Sequence, residues 1–256
     1  MTIYNIKRMN NSSKREKDDA CINHSERENC RSKSKHIDIT FDFETCSTAP
    51  DAAPMQLAAI VWNRFSEGEH PFTEDAFNVG IDLRTCVVAG FSFDQDTVDF
   101  WSRQNETAKQ NVTETECYAV DTAFMQFCEW IEQMKKKYDA DTVCLWCQGQ
   151  DFDFPILKNI ARKFNLKMPV HQHFFRDCRT YVLETVLALL SIGNRTDETH
   201  SVHLTLDDVL EKPMRAYDLI PKINEDWLTG RSQHDAFYDC LRSTWSVWQC
   251  MKMLKQ

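Results

Sequence analysis

The chain has 256 residues, 42% of them apolar and 11% aromatic, enough to bury one large core. A formal net charge of −9 argues against broad basic-surface binding of nucleic acid, whose backbone affinity comes largely from Lys and Arg. It does not exclude a phosphodiester site built around metal ions, because bound cations reverse the local charge.

Residues 1–35 carry nine Lys or Arg against five Asp or Glu, without strand alternation or a helical stripe. They read as a mobile, mildly basic arm. From His36 to residue 256 the pattern is that of a single α/β domain with a mixed sheet flanked by helices. "HIDITFDFE" predicts a first strand, "MQLAAIVWNRF" a second and "EDAFNVGIDL" a third. "DQDTVDFWSRQ" predicts a short helix carrying Trp101 outward or into a lid. A longer helix near Asp121 to Tyr138 has Phe124, Phe127, Ile131 and Met134 at spacings of three and four. "DTVCLWC" reads as a buried strand. "FPILKNIARKFNL" opens a helix with Pro155 in its first turn, where a missing N–H is tolerated. "CRTYVLETVLALLSIG" predicts a helix ending at Gly193, and residues 194–203 a polar loop. "LTLDDVLEK" predicts a short capped helix, with Asp207 and Asp208 in its first turn. "SQHDAFYDCLRSTWSVWQCMKMLK" predicts the terminal helix.

No stretch approaches the roughly 20 apolar residues that span a bilayer, and no apolar leader opens the chain. The eleven cysteines, an odd number in a chain too large to need staples, read as reduced thiols. Cys144 and Cys147 form a CxxC, but their odd spacing in a strand points them to opposite faces. With no second CxxC, zinc is not expected.

Three clusters stand out as chemistry. Asp42 and Glu44 share one face of the first strand, because side chains alternate with a period of two. Two carboxylates this close repel, and burying them costs several kcal/mol unless cations answer them. Carboxylate oxygens suit Mg²⁺ or Mn²⁺. The second cluster is "WCQGQDFDFPIL", which places Asp151 and Asp153 in a strand-to-helix crossing, where open α/β sheets hold ligands. A helix N-cap is the plain alternative for Asp153. The third is "HDAFYD". In an ideal helix His234 and Asp239, five residues apart, lie about 140° apart and share no face.

In chain order these clusters resemble the motifs of the DEDDh 3′–5′ exonuclease family of the ribonuclease H-like superfamily. The similarity is greatest to the exonuclease A type of T-even phages and its bacterial relatives. Asp42-x-Glu44 resembles the first motif and "WCQGQDFDFPIL" the second, selecting Asp153 over Asp151. His234-x-Ala236-x-x-Asp239 resembles the third, and "RDCRT" at 176–180 is similar to the stretch that follows the second. Cys147 and Gln148 depart from the Gly and Asn usual there.

The resemblance implies two Mg²⁺ or Mn²⁺ ions held by Asp42, Glu44, Asp153 and Asp239, with His234 as general base. It implies release of nucleoside 5′-monophosphates from 3′ ends. Single-stranded or frayed DNA ends are the expected partners, with RNA as the alternative; a non-catalytic nucleic-acid binder is the remaining reading. No membrane partner is expected, the chain being a monomer or homodimer in the cytoplasm (the host's, if phage-encoded). Trp62, Phe93, Trp101 and Trp146 are candidates for base stacking, and Arg176 and Arg179 for phosphate or ion-pair contacts, with Asp177 as a partner for one of them. Phe43 is expected to face the core.

Overall fold

Strand β1 (His36–Thr45) runs through the middle of the sheet with opposite chemistries on its two faces. The structure, a computed structural model, describes residues 35–113, 115–192 and 204–255. The predicted arm, apart from Lys35, therefore lies outside the described residues, as do Gly193 and the polar loop 194–203.

On one face of β1, Ile37, Ile39, Phe41 and Phe43 join a core closed by α4 (Val120–Lys137) and α5 (Asp153–Lys163). Phe41 packs against Phe127 and Phe154 at ring separations of 6.0 and 5.2 Å. The α4 stripe of Phe124, Phe127, Ile131 and Met134 is buried there, and each such side chain contributes about 1.5–3 kcal/mol through burial. Phe43 therefore belongs to the core, as expected from its alternation.

The other face carries Asp38, Thr40, Asp42 and Glu44, and α8 (Ala236–Met253) crosses it. Asp38 is buried but answered: both its oxygens bond the Arg64 guanidinium, and Trp146 Nε1 donates to it at 2.8 Å. Thr244 on α8 donates to Thr40 at 2.7 Å. A second apolar core lies between this face, α6 (Cys178–Ser191) and α8.

The sheet has six strands, in the order β4-β3-β2-β1-β5-β6. β2 (Pro54–Trp62) is antiparallel to both β1 and β3 (Phe72–Ile81), with Asp42 opposite Ala58 and Glu44 opposite Gln56. β4 (Cys117–Tyr118) pairs parallel with β3, β5 (Thr142–Cys147) with β1, and β6 (Phe175–Asp177) with β5. This mixed sheet with helices on both faces is the ribonuclease H-like arrangement. Cys144 and Cys147 fall into the two different cores, as their spacing requires.

Several boundaries differ from expectation. β3 begins at Phe72, two residues early, because Phe72 pairs with Trp62 across the ladder. The terminal helix begins at Ala236 rather than Ser232, since Asp235 takes the N-cap. Short elements escaped the sequence patterns: α1 (Leu83–Val88), α3 (Glu106–Thr113), β4 and β6. Strands of two or three residues carry no readable alternation. α2 (Gln95–Ser102) and α7 (Leu206–Glu211) are where the sequence puts them, the latter with a capping box between Thr205 and Asp208.

Candidate active site

The β1–β5 ladder ends at Thr40–Trp146, so Asp42 and Glu44 lie beyond it, at the carboxyl ends of two parallel strands. The chain leaving β5 turns through Gly149, at φ 102°, before entering α5. A side chain at 149 would meet the Arg179 guanidinium at 3.4 Å. Asp177 fixes this turn: its carboxylate accepts from the N–H groups of Gly149 (3.2 Å) and Gln150 (3.4 Å) while N-capping α6. Asp177 is thus a cap and loop tether, not the ion-pair partner expected for Arg176 or Arg179. Arg176 donates to the carbonyls of His173 and Phe175, a structural role.

Asp153 is the first residue of α5, only 1% exposed. The N-cap is Phe152, so capping does not account for Asp153. Its Oδ1 instead accepts the N–H of Phe43 at 3.3 Å, which holds it against β1. Burial pushes its pKa up to about 8, although the Phe43 N–H and the Arg179 charge work the other way.

His234 and Asp239 meet because His234 stands outside the helix. Its backbone is left-handed, at φ 69°, a conformation that costs a non-glycine residue about 1–2 kcal/mol. The His234 N–H donates to Asp239 Oδ2 at 3.1 Å, closing the turn. Ligand atoms of Glu44, His234 and Asp239 all lie within 4.8 Å of one another. Burial pushes Asp239 up to about 6, opposed by the His234 N–H and the Arg242 charge. Burial lowers the pKa of His234. Asp42 and Glu44 are both raised well above the carboxylate range by burial first, then by the neighbouring carboxylates, Asp153 and Asp239 included.

Among the described residues none of these four carboxylates has an ion-pair partner. Four mutually repelling acids fit hard divalent cations, which are the charge the site lacks. The thiols of Cys147, Cys178 and Cys240 border the group, and burial raises all three, so they are neutral walls.

α2 supplies another wall. Phe100 and Trp101 stand edge-on to the His234 ring, with centroids at 4.8 and 6.5 Å, and Trp101 Nε1 donates to the Thr45 carbonyl at 2.9 Å. Trp101 thus lines the site. Phe93 is 40% exposed, whereas Trp62 and Trp146 are each 2% exposed and pack on one another. Those two cannot stack on bases: their faces of the sheet are covered by α6 and α8.

Sequence reasoning missed Phe100 and Asp235. Asp235, fully buried, accepts from Gln56 Nε2 (3.2 Å), Asn111 Nδ2 (3.1 Å), Arg231 Nη1 (2.7 Å) and the Phe237 N–H (3.2 Å). Gln56 in turn accepts the Ala236 N–H at 3.1 Å. The network joins β2, α3 and the start of α8 and so fixes the residue following His234. The preference for Asp at an N-cap was the available signal.

A ribonuclease H-like sheet with these acids and a histidine at its open strand ends defines a DEDDh-type 3′–5′ exonuclease domain, dependent on metal. Residues 37–214 match the Rv2179c-like 3′-5′ exoribonuclease domain, and the chain belongs to that family. The match ends before His234 and Asp239. The chain is also 25% identical over 210 residues to the exodeoxyribonuclease of Enterobacteria phage T4, covering 80% of this chain and 85% of that protein. Among solved structures, the nuclease domain of 3′hExo, a DEDDh family member bound to rAMP, aligns over 87% of this chain and 94% of its own. Its TM-score is 0.44 at 14% identity. No helix among the described residues is long and apolar enough to cross a membrane.

Proposed function

We propose that the chain is a 3′–5′ exoribonuclease in which Asp42, Glu44, Asp153 and Asp239 hold two divalent ions, Mg²⁺ or Mn²⁺, and His234 is the general base. The observation that carries this reading is the convergence of Glu44, His234 and Asp239 within 4.8 Å among carboxylates that lack counter-charges. Bound ions of this type activate a water and neutralise charge on a phosphodiester.

The remaining roles belong to the chain. Burial keeps the His234 imidazole neutral at physiological pH, able to accept a proton from an attacking water. The left-handed turn and the bond to Asp239 hold its backbone, while Phe100 and Trp101 limit the ring's freedom and its contact with solvent. The Phe43 N–H aims Asp153 at β1. The product is a nucleoside 5′-monophosphate.

RNA replaces DNA, the substrate expected from the motifs, because the family matched over most of the chain is exoribonucleolytic. Action on DNA is the second reading, supported by the phage exodeoxyribonuclease relative. The test is a time course on matched 5′-labelled single-stranded RNA and DNA with Mg²⁺, Mn²⁺ or EDTA. A ladder shortening from the 3′ end, faster on RNA and absent with EDTA or Asp42→Ala, is expected. Faster shortening of DNA would reverse the substrate assignment, and internal fragments would refute exonucleolysis.

A further inference from the structure

A cleft that none of the proposed catalytic residues lines lies between α8 and the segment after α7. The cleft is half-open and measures about 510 Å³. That is the size range of small-ligand sites. Its walls include Tyr217, Ile220 and Ile223 on one side and Tyr238, Arg242 and Trp245 on the other.

Two observations connect this cleft to a nucleotide strand. Arg242 stands three residues beyond Asp239 on α8, nearly one helical turn, and lines the cleft, so the cleft wall and the proposed metal ligand share one helix. Its guanidinium is exposed, lies over the Tyr238 ring at 5.7 Å and has no ion-pair partner among the described residues. Of the two carboxylates that line it, Asp218 is paired with Arg215, and Glu225 stands on a 3₁₀ turn.

The geometry points to a nucleotide subsite for the strand on the 5′ side of the scissile phosphate, with Arg242 on a backbone phosphate and Tyr238 against a base. This rests on the exonuclease reading above. An enzyme that removes 3′-terminal nucleotides has one nucleotide beyond the scissile bond, and the rest of the strand must leave through an open path. A half-open cleft with aromatic walls and a free guanidinium suits that path, because stacking is tolerant of sequence and the cation takes the phosphate.

The test compares wild type, Arg242→Ala and Arg242→Lys on a single-stranded ten-nucleotide RNA and on a nucleoside 5′-monophosphate p-nitrophenyl ester. The ester has no nucleotide on the 5′ side. Arg242→Ala is expected to raise KM for the RNA about tenfold with kcat within twofold. It should also flatten the dependence of log KM on log salt by about 0.7, the loss of one single-strand phosphate contact. Arg242→Lys should restore the salt slope. With the ester, the Arg242→Ala penalty should disappear. An equal loss on both substrates, or a loss confined to kcat, would place Arg242 at the metal site and overturn the subsite; so would no loss at all. Failure of the exonuclease reading would appear earlier, as wild-type protein that does not shorten RNA in Mg²⁺ or Mn²⁺.

Discussion

Removing divalent ions should make this protein less stable as the pH rises from 5.5 to 8. Burial raises the pKa of Asp153 to about 8 and of Asp239 to about 6, from the ordinary aspartate value of 3.8. Between those values the unfolded chain has released protons that the folded state still binds. Stability therefore falls with pH from about 4 to 6 for Asp239, and from about 4 to 8 for Asp153. At about 1.4 kcal/mol per pH unit, Asp153 alone gives a fall of about 3 kcal/mol between pH 5.5 and 8. His234 works in the other direction. Its lowered pKa means that the unfolded chain binds the proton more readily, so stability is gained as pH rises through about 6.5. Asp42 and Glu44, also raised well above the carboxylate range, add to the fall, so the net loss is expected to be at least about 2–3 kcal/mol. Asp94 and Asp208, held low by donors from Thr97 and Thr205, titrate below this window.

The assay is urea unfolding at pH 5.5, 6.5, 7.5 and 8, in EDTA and in saturating Mg²⁺ or Mn²⁺. The metal should reverse the fall, since a ligand at a hundred times its Kd adds about 2.7 kcal/mol to the folded state. Asp153→Asn should flatten the EDTA curve. A flat wild-type curve in EDTA, or metal that leaves the pH 8 midpoint unchanged, would refute the claim that these acids are uncompensated until cations bind.

Three further outcomes follow from particular contacts. Asp235→Ala should destabilise by about 2–4 kcal/mol in chemical denaturation, because it strands Arg231 and three other donors in a buried site; it should also lower kcat, by loosening the turn at His234. Arg64→Met should cost about 3–5 kcal/mol by leaving the buried Asp38 charge unpaired, and adding Asp38→Leu should recover most of that loss, as a double-mutant cycle will read. Trp101→Phe, which deletes the bond to the Thr45 carbonyl but keeps an aromatic wall, should cost about 1 kcal/mol in stability, with a loss of kcat measurable in the strand-shortening assay.

Much of this protein is determined by local sequence. Alternation in "FDFE" dictates that Phe41 and Phe43 face one way and Asp42 and Glu44 the other, wherever the strand ends up in the sheet. The α4 stripe and the Thr205–Asp208 capping box are likewise properties of neighbouring residues, and both were legible. Motif order pointed to Asp153, His234 and Asp239 as companions of the first pair.

What only tertiary structure decided is how those residues meet. His234 and Asp239 do not share a helical face; they meet because His234 leaves the helix in a left-handed turn, anchored by Asp235 to β2 and α3. No spacing rule encodes a backbone conformation enforced by partners more than a hundred residues away. The same limit applies to Trp62 and Trp146, whose composition suits stacking on bases but which α6 and α8 cover. It applies equally to Asp38 and Asp42, four residues apart on one face of one strand. Arg64 and Trp146 answer the first, and the second is left for cations. Local pattern sets which way a side chain points, and only the packed neighbours settle whether its charge is met.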